Sequence, residues 1–260
     1  MTLPTFSASD DPGPSFAELL RRTRPMDALP QAPHELTITH GTTVLGVRYA
    51  DGVAMAGDRR ATSGNLIAHK TMEKVFPADR FSGVAIAGAA GPAVEMVKLF
   101  QLQLEHYEKV EGTVLSLEGK ANQLAQMVRS NLPAAMQGLA VVPLFAGYDK
   151  LRGQGRLFEY DVTGGRYEEQ HHVASGSGSL HAGTVVKLGY RDGLTRDDAI
   201  DLVVHALYRA AEEDSATGGP DLVRGIFPVV ATITADGYQR VEDDELRTRV
   251  EALIAGGATS

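Results

Sequence analysis

Alternation of apolar and polar positions begins abruptly at Thr43. Before it, residues 1–41 hold half of the 12 prolines, with Ser and Asp, and show little apolar periodicity outside Phe16 to Leu20. That is leader or tail composition. From Thr43 the pattern is a β-hairpin: Thr43 to Tyr49, an Asp-Gly turn at Ala50-Asp51-Gly52, and a return over Val53 to Gly57. A second hairpin is expected over Leu66 to Ala87, closing in the small-residue run Ala85 to Gly91. Apolar spacings of three and four then predict helices over Pro92 to Glu111 and Leu117 to Gly138, with Pro92 suited to a first turn and Pro133 ending or kinking the second helix. Strands return at Val141 to Tyr148, Gly155 to Asp161 and Tyr167 to Ala174. Helices follow over Leu180 to Tyr190 and from Thr195, where Asp198 makes a capping-box signal. A strand over Ile226 to Ala235, an Asp236-Gly237 turn and a helix over Asp243 to Leu253 close the chain. The order is strands, two helices, strands, two helices, strands. It fits an α+β domain with two packed sheets between two helical layers.

Composition narrows the picture. At 260 residues, 43% hydrophobic and 22% charged, the chain can bury a sizeable core. No apolar run approaches the ~20 residues of a membrane span, and the N-terminus lacks a secretory pattern, so the expectation is a cytoplasmic protein with no membrane association. The absence of cysteine excludes disulfides, thiolate metal sites and thiol catalysis. A net charge of −8, without clustered Lys and Arg, argues against a nucleic-acid partner. Residues 1–41 carry five acids and three bases; the remainder keeps 28 acids against 22 bases, or −6, so its charge balance does not depend on the leader.

The junction Thr39-His40-Gly41-Thr42-Thr43 is also a candidate for chemistry. Cleavage of Gly41–Thr42 would give Thr42 a hydroxyl and a free α-amine on one residue, a nucleophile with its own base titrating near ~7.7–8.0. Strand propensity alone would equally place Thr-Thr here. Asp58, at the end of the returning strand, either lies near Thr42 or pairs locally with Arg59 or Arg60. Lys74, flanked by Met72, Val75 and Phe76, is either an exposed strand lysine or a buried ammonium needing a carboxylate such as Asp58. Gly88 sits at a strand-to-helix junction, as a tight turn or as an N–H facing a developing oxyanion. Ser175-Gly176-Ser177-Gly178-Ser179 opens a helix, and Glu213 to Pro220 reads as C-terminal turn chemistry. His171 and His172 are adjacent on a strand and face opposite sides, so the pair is structural.

Taken jointly, Gly41-Thr42-Thr43, Gly57-Asp58-Arg59-Arg60, Glu73-Lys74-Val75, Ala87-Gly88, Gly176-Ser177-Gly178 and Asp214-Ser215-Ala216-Thr217-Gly218 resemble the catalytic β-subunits of the 20S proteasome. The leader and Gly218 to Val223 resemble the actinobacterial form most. The resemblance runs from about Thr39 to the C-terminus. It implies the four-layer αββα sandwich of N-terminal nucleophile (Ntn) hydrolases, with 1–41 a propeptide removed by autocleavage and 42–260 the catalytic domain. By matching position it implies Thr42 as nucleophile, its amine as base through a water, Lys74 lowering the hydroxyl's proton affinity, and Asp58 orienting Lys74. Ser177, Asp214 and Thr217 would position the N-terminus and the water, and the Gly88 N–H would stabilise the oxyanion. Thr217 stands where many relatives carry serine, and Ser177 is located only by its Gly-Ser-Gly frame.

The resemblance further places Ala61, Met72, Ile86, Ala90 and Val94 around the pocket for the residue preceding the cut, with the Thr62 backbone pairing substrate as an added strand. All five are apolar, so cleavage after hydrophobic residues is expected. No metal or organic cofactor is required. The implied partners are identical β-subunits in heptameric rings, α-subunits completing an α7β7β7α7 barrel, and through them an AAA ATPase ring that unfolds proteins tagged with a prokaryotic ubiquitin-like protein. The alternatives are a non-catalytic structural ring subunit and a simpler two-ring Ntn protease or amidase. Oligomer mass separates these readings.

Overall fold

A computed structural model describes residues 41–257, so the leader reading for residues 1–40 lies outside the described residues. The strands are β1 (Thr43–Tyr49), β2 (Gly52–Gly57), β3 (Ala61–Ser63), β4 (Leu66–His69), β5 (Val75–Asp79), β6 (Ser82–Gly88), β7 (Val141–Asp149), β8 (Gln154–Tyr160), β9 (Arg166–Glu169), β10 (His172–Gly176), β11 (Val229–Thr234) and β12 (Gly237–Arg240). The helices are α1 (Ala90–Glu111), α2 (Leu117–Ser130), α3 (Leu132–Ala135), α4 (Ser179–Gly189), α5 (Arg196–Glu213) and α6 (Asp243–Gly257). None of these helices is long and apolar enough to cross a membrane.

Two five-stranded sheets form, in the orders β10-β1-β2-β11-β12 and β5-β6-β7-β8-β9, with β3 and β4 making a separate ribbon. The pairings in both sheets are antiparallel. Period-two alternation explains why the strands read as nearly continuous apolar runs: both faces are buried. On β2, Ala54 and Ala56 join the core under α4 and α5, while Val53 and Met55 point between the sheets. On β6, Val84 and Ile86 meet α1 and α2, while Ala85 and Ala87 point between the sheets. Three apolar layers thus separate four layers of structure, giving the αββα sandwich.

Several elements differ from the pattern reading. Leu66–His69 does not pair forward into the second hairpin; it folds back on Ala61–Ser63, across a turn whose Gly64 has φ of 58°. The true hairpin is β5 with β6. The segment read as one strand over Tyr167 to Ala174 is two, with β9 in the second sheet and β10 in the first. Alternation marks a strand but not its partner. The second long helix stops at Ser130, and Pro133 occupies the first turn of the short α3, where its missing N–H is harmless. The strand read from Ile226 begins only at Val229, because Ile226 exchanges both backbone hydrogen bonds with Asp221 instead. The Thr195–Asp198 capping box forms as expected, each residue bonding the other's backbone N–H.

Candidate active site

Antiparallel pairing of β1 with β2 matches Val44 to Gly57, so Asp58 emerges beside Thr43. Pairing of β1 with β10 matches Thr43 to Gly176, which brings Ser177 to the same strand end from 135 residues away. Lys74 immediately precedes β5 in the other sheet, its carbonyl accepting from the Ile86 N–H at 2.9 Å. Asp214 closes α5, and the loop after it lies across the end of the first sheet.

The Asp58 carboxylate is fully buried, and its charge is met by four donors. Thr43 N–H donates to Oδ1 at 2.8 Å, Arg60 N–H and Gly218 N–H to Oδ2 at 2.8 Å each, and Lys74 Nζ to Oδ1 at 2.6 Å. The Lys74 ammonium, itself 1% exposed, also donates to the Arg60 carbonyl at 2.6 Å. Burial lowers its pKa from the ordinary lysine range, against the opposing pull of the Asp58 charge and hydrogen bond. A buried cation is thereby fixed in the wall of the cavity that Thr42 also lines.

A second network approaches from the opposite flank. Ser177 Oγ lies 3.3 Å from the Thr42 nitrogen and donates to Asp214 Oδ2 at 2.5 Å. Thr217 Oγ1 donates to the same oxygen at 2.6 Å, and the Ala216 N–H donates to Oδ1 at 3.1 Å. Burial raises the Asp214 pKa, but the hydrogen bonds from Ser177 and Thr217 outweigh it and hold the carboxyl below its ordinary value. Thr217 does not reach Thr42 directly. Its hydroxyl is 2.6 Å from the hydroxyl of Thr43, which also accepts the Gly178 N–H at 3.1 Å. Thr43 and Gly218 are therefore site residues that sequence reasoning missed. The doubled threonine at the strand start was the available signal.

The nitrogen of Thr42 here is an amide joined to Gly41, so it stands in for the amine of a cleaved chain. Gly41 N–H donates to Thr62 Oγ1 at 3.2 Å, so Thr62 holds this segment through its hydroxyl. A Cβ on Gly41 would fall 1.7 Å from the Ala216 Cβ, so only glycine fits. A cavity of about 210 Å³ opens at Thr42 and Lys74. It is lined by Ala61, Thr62, Met72, Ile86, Gly88 and Ala90, and also by Ser63, Ala68, His69 and Ala93. Val94 is not among the lining residues; it packs, half-buried, against the core beneath α1 and α2. Gly88 has φ of 110°, and a Cβ there would meet the Ala140 carbonyl at 2.2 Å. Its backbone can line the cavity only because no side chain intervenes.

The proteasome subunit family profile matches residues 38–223. The chain belongs to the proteasome subunit family. A proteasome subunit beta from Acidimicrobium ferrooxidans is 60% identical over 248 residues, covering 95% of this chain and 91% of that one. Another, from Streptomyces griseus subsp. griseus, is 58% identical over 235 residues, covering 90% and 82%. The chain is accordingly a peptidase subunit of the multi-subunit proteasome core, of threonine type, acting in protein degradation. The likeness named from Gly41-Thr42-Thr43 and its companion motifs holds over most of the chain.

Proposed function

We propose that the chain is made as a zymogen, cuts itself between Gly41 and Thr42, and then cleaves unfolded proteins by acyl transfer to Thr42. Residues 1–41 are the propeptide and 42–260 the catalytic domain. The observation that carries this reading is the convergence on one buried threonine, at the mouth of an apolar cavity, of the Lys74–Asp58 pair and the Ser177–Asp214–Thr217 network.

In the uncleaved chain the Thr42 nitrogen is an amide and cannot act as a base. The first step therefore needs another proton acceptor, a water held beside Ser177 being the simplest. The Thr42 hydroxyl gives its proton to that water and attacks the Gly41 carbonyl, the C–N bond breaks as the Thr42 nitrogen takes a proton back and becomes a free α-amine, and water then hydrolyses the ester to the Gly41 carboxylate and the Thr42 hydroxyl. That amine titrates near ~7.7–8.0 when unperturbed and takes the hydroxyl proton in later turnovers, directly or through a water. The Lys74 cation favours the alkoxide character that develops on Thr42, and Asp58 fixes the direction of that cation. The Gly88 N–H stabilises the tetrahedral oxyanion, a contact worth about 2.7–4 kcal/mol where such donors have been removed. A second water deacylates the enzyme. Water and the chain's own residues together carry the proton transfers in this scheme.

The cavity walls Ala61, Met72, Ile86 and Ala90 are apolar, which supports cleavage after hydrophobic residues. The family resemblance supports heptameric β-rings between α-rings, an ATPase ring acting on tagged proteins, and a cytoplasmic site of action. The test is the intact mass of the chain after co-expression with its α-subunit, beside a Thr42→Ala control. Loss of residues 1–41 in wild type alone is expected. An unprocessed chain in a fully assembled particle would overturn the mechanism.

A further inference from the structure

Behind the ribbon that walls the substrate cavity lies a second cavity, of about 170 Å³. The two share β4 and the residue after it: Ala68 and His69 line the first, Ile67 and Lys70 the second. In a chain of net charge −8, the second cavity gathers Arg59, Arg60, Lys70 and Arg224 around a single carboxylate, Asp221. Only one of the four cations is well matched. Arg224 Nη1 reaches Asp221 Oδ2 at 2.6 Å. Arg59 Nη2 donates to the Thr71 carbonyl at 3.0 Å but is 4.0 Å from its nearest carboxylate, Glu73, which is already 2.6 Å from Arg240. Arg60 spends an N–H on the Ser215 carbonyl at 2.8 Å and makes no ion pair among the described residues. Lys70 has neither a hydrogen bond nor an ion pair among them.

We propose that this cavity is a binding site for a small oxyanion of the phosphate class. Three observations converge on that ligand. The lining carries a net charge of three positive groups, and like charges held at one concavity are relieved by an anion. Guanidinium forks match the oxygens of phosphate bidentately. The volume leaves room for one oxyanion. The site is also wired to the catalytic pair. Arg60 and Gly218, both in its lining, give their backbone N–H groups to Asp58, and the Arg60 carbonyl accepts from Lys74. An occupant gripping these two segments braces the supports of Asp58 without entering the substrate cavity.

Equilibrium dialysis of radiolabelled inorganic phosphate against the assembled, processed particle tests this, with ionic strength held constant by chloride. Saturable binding of one phosphate per chain is expected. Lys70→Ala and Arg224→Ala should each weaken it by about tenfold, the scale of one charge-assisted contact, and Lys70→Arg should retain it. Continued peptide hydrolysis by all three variants reports that the fold is intact. Absence of saturable binding to wild type, or binding that Lys70→Ala and Arg224→Ala leave unchanged, overturns the proposal.

Discussion

Under the proposed self-cleavage Gly41 is needed by the precursor and absent from the product, which makes it a clean probe of that step. Its missing side chain lets it lie against Ala216, where an added Cβ would sit at 1.7 Å. Gly41→Ala should slow loss of residues 1–41 by at least about tenfold, since an ångström of misplacement is enough to spoil attack geometry. Chains that do mature should have wild-type specific activity; an intact-mass time course with peptide kinetics checks both. The Asp58–Lys74 pair predicts an asymmetry. Lys74→Ala leaves a buried carboxylate still served by three backbone N–H groups, whereas Asp58→Ala strands those donors together with a buried ammonium. Each orphaned buried donor costs about 1–3 kcal/mol. Asp58→Ala should therefore be the less stable variant by about 2 kcal/mol or more in chemical denaturation, and equal losses would contradict the geometry. Asp214 sets a pH window. Its folded pKa lies below the unfolded value of ~3.9, so its stabilisation is complete above that value and is lost as pH falls through the folded pKa. Wild type and Asp214→Asn should differ by a constant stability increment above about pH 5 and converge below about pH 4.

At the level of elements, the site is made of ends. β1 starts, β2 and β6 stop, β5 begins, and α5 terminates within reach of Thr42, because strand and helix ends expose the backbone groups that regular pairing consumes. Gly88 is the end of β6, and the turn into α1 is closed by the Ala89 N–H on the Ala140 carbonyl at 2.8 Å. A side chain there meets two penalties, the left-handed φ and the Ala140 carbonyl at 2.2 Å. Gly88→Ala should lose about 1–3 kcal/mol of stability. It should also lose at least about a hundredfold in kcat, as expected for displacement of an oxyanion donor. A stable and fully active Gly88→Ala protein, which keeps the N–H but not the glycine geometry, would show that the placement of this backbone does not matter to the reaction.

For the whole molecule, the decisive feature is that Thr42, Asp58 and Ser177 flank strand ends of one sheet while Lys74 and Gly88 stand at strand ends of the other. The distance between those groups is set by the apolar layer between the sheets, where Met55, Leu144, Leu157 and Ile233 are fully buried. Leu144→Ala and Leu246→Ala should each destabilise by about 2–5 kcal/mol. Leu144 lies between the sheets and Leu246 in the outer core under α5. In assembled particles below the melting transition, Leu144→Ala should lower kcat/KM by about tenfold or more, while Leu246→Ala should change it little. Comparable losses in both would show that sheet spacing does not tune the site.

The kinds of element and the residue types of the candidate site were legible in the chain. Local rules sufficed there: strand alternation, the Asp-Gly turn, the Thr195 cap and Pro133 act within a few residues, and the motifs around Thr42, Asp58, Lys74 and Asp214 carry their residue types wherever the chain takes them. The tertiary structure alone decided the partners. Whether Leu66–His69 pairs with β3 or β5, that Tyr167 to Ala174 divides between two sheets, and that Thr43 receives the Thr217 hydroxyl are outcomes of contacts up to 174 residues apart in the chain. The same holds for Asp58 and Lys74. Sequence left open whether each was a surface charge; burial of both on one another was fixed when the two sheets closed, since a buried ammonium and a buried carboxylate are tolerable only together.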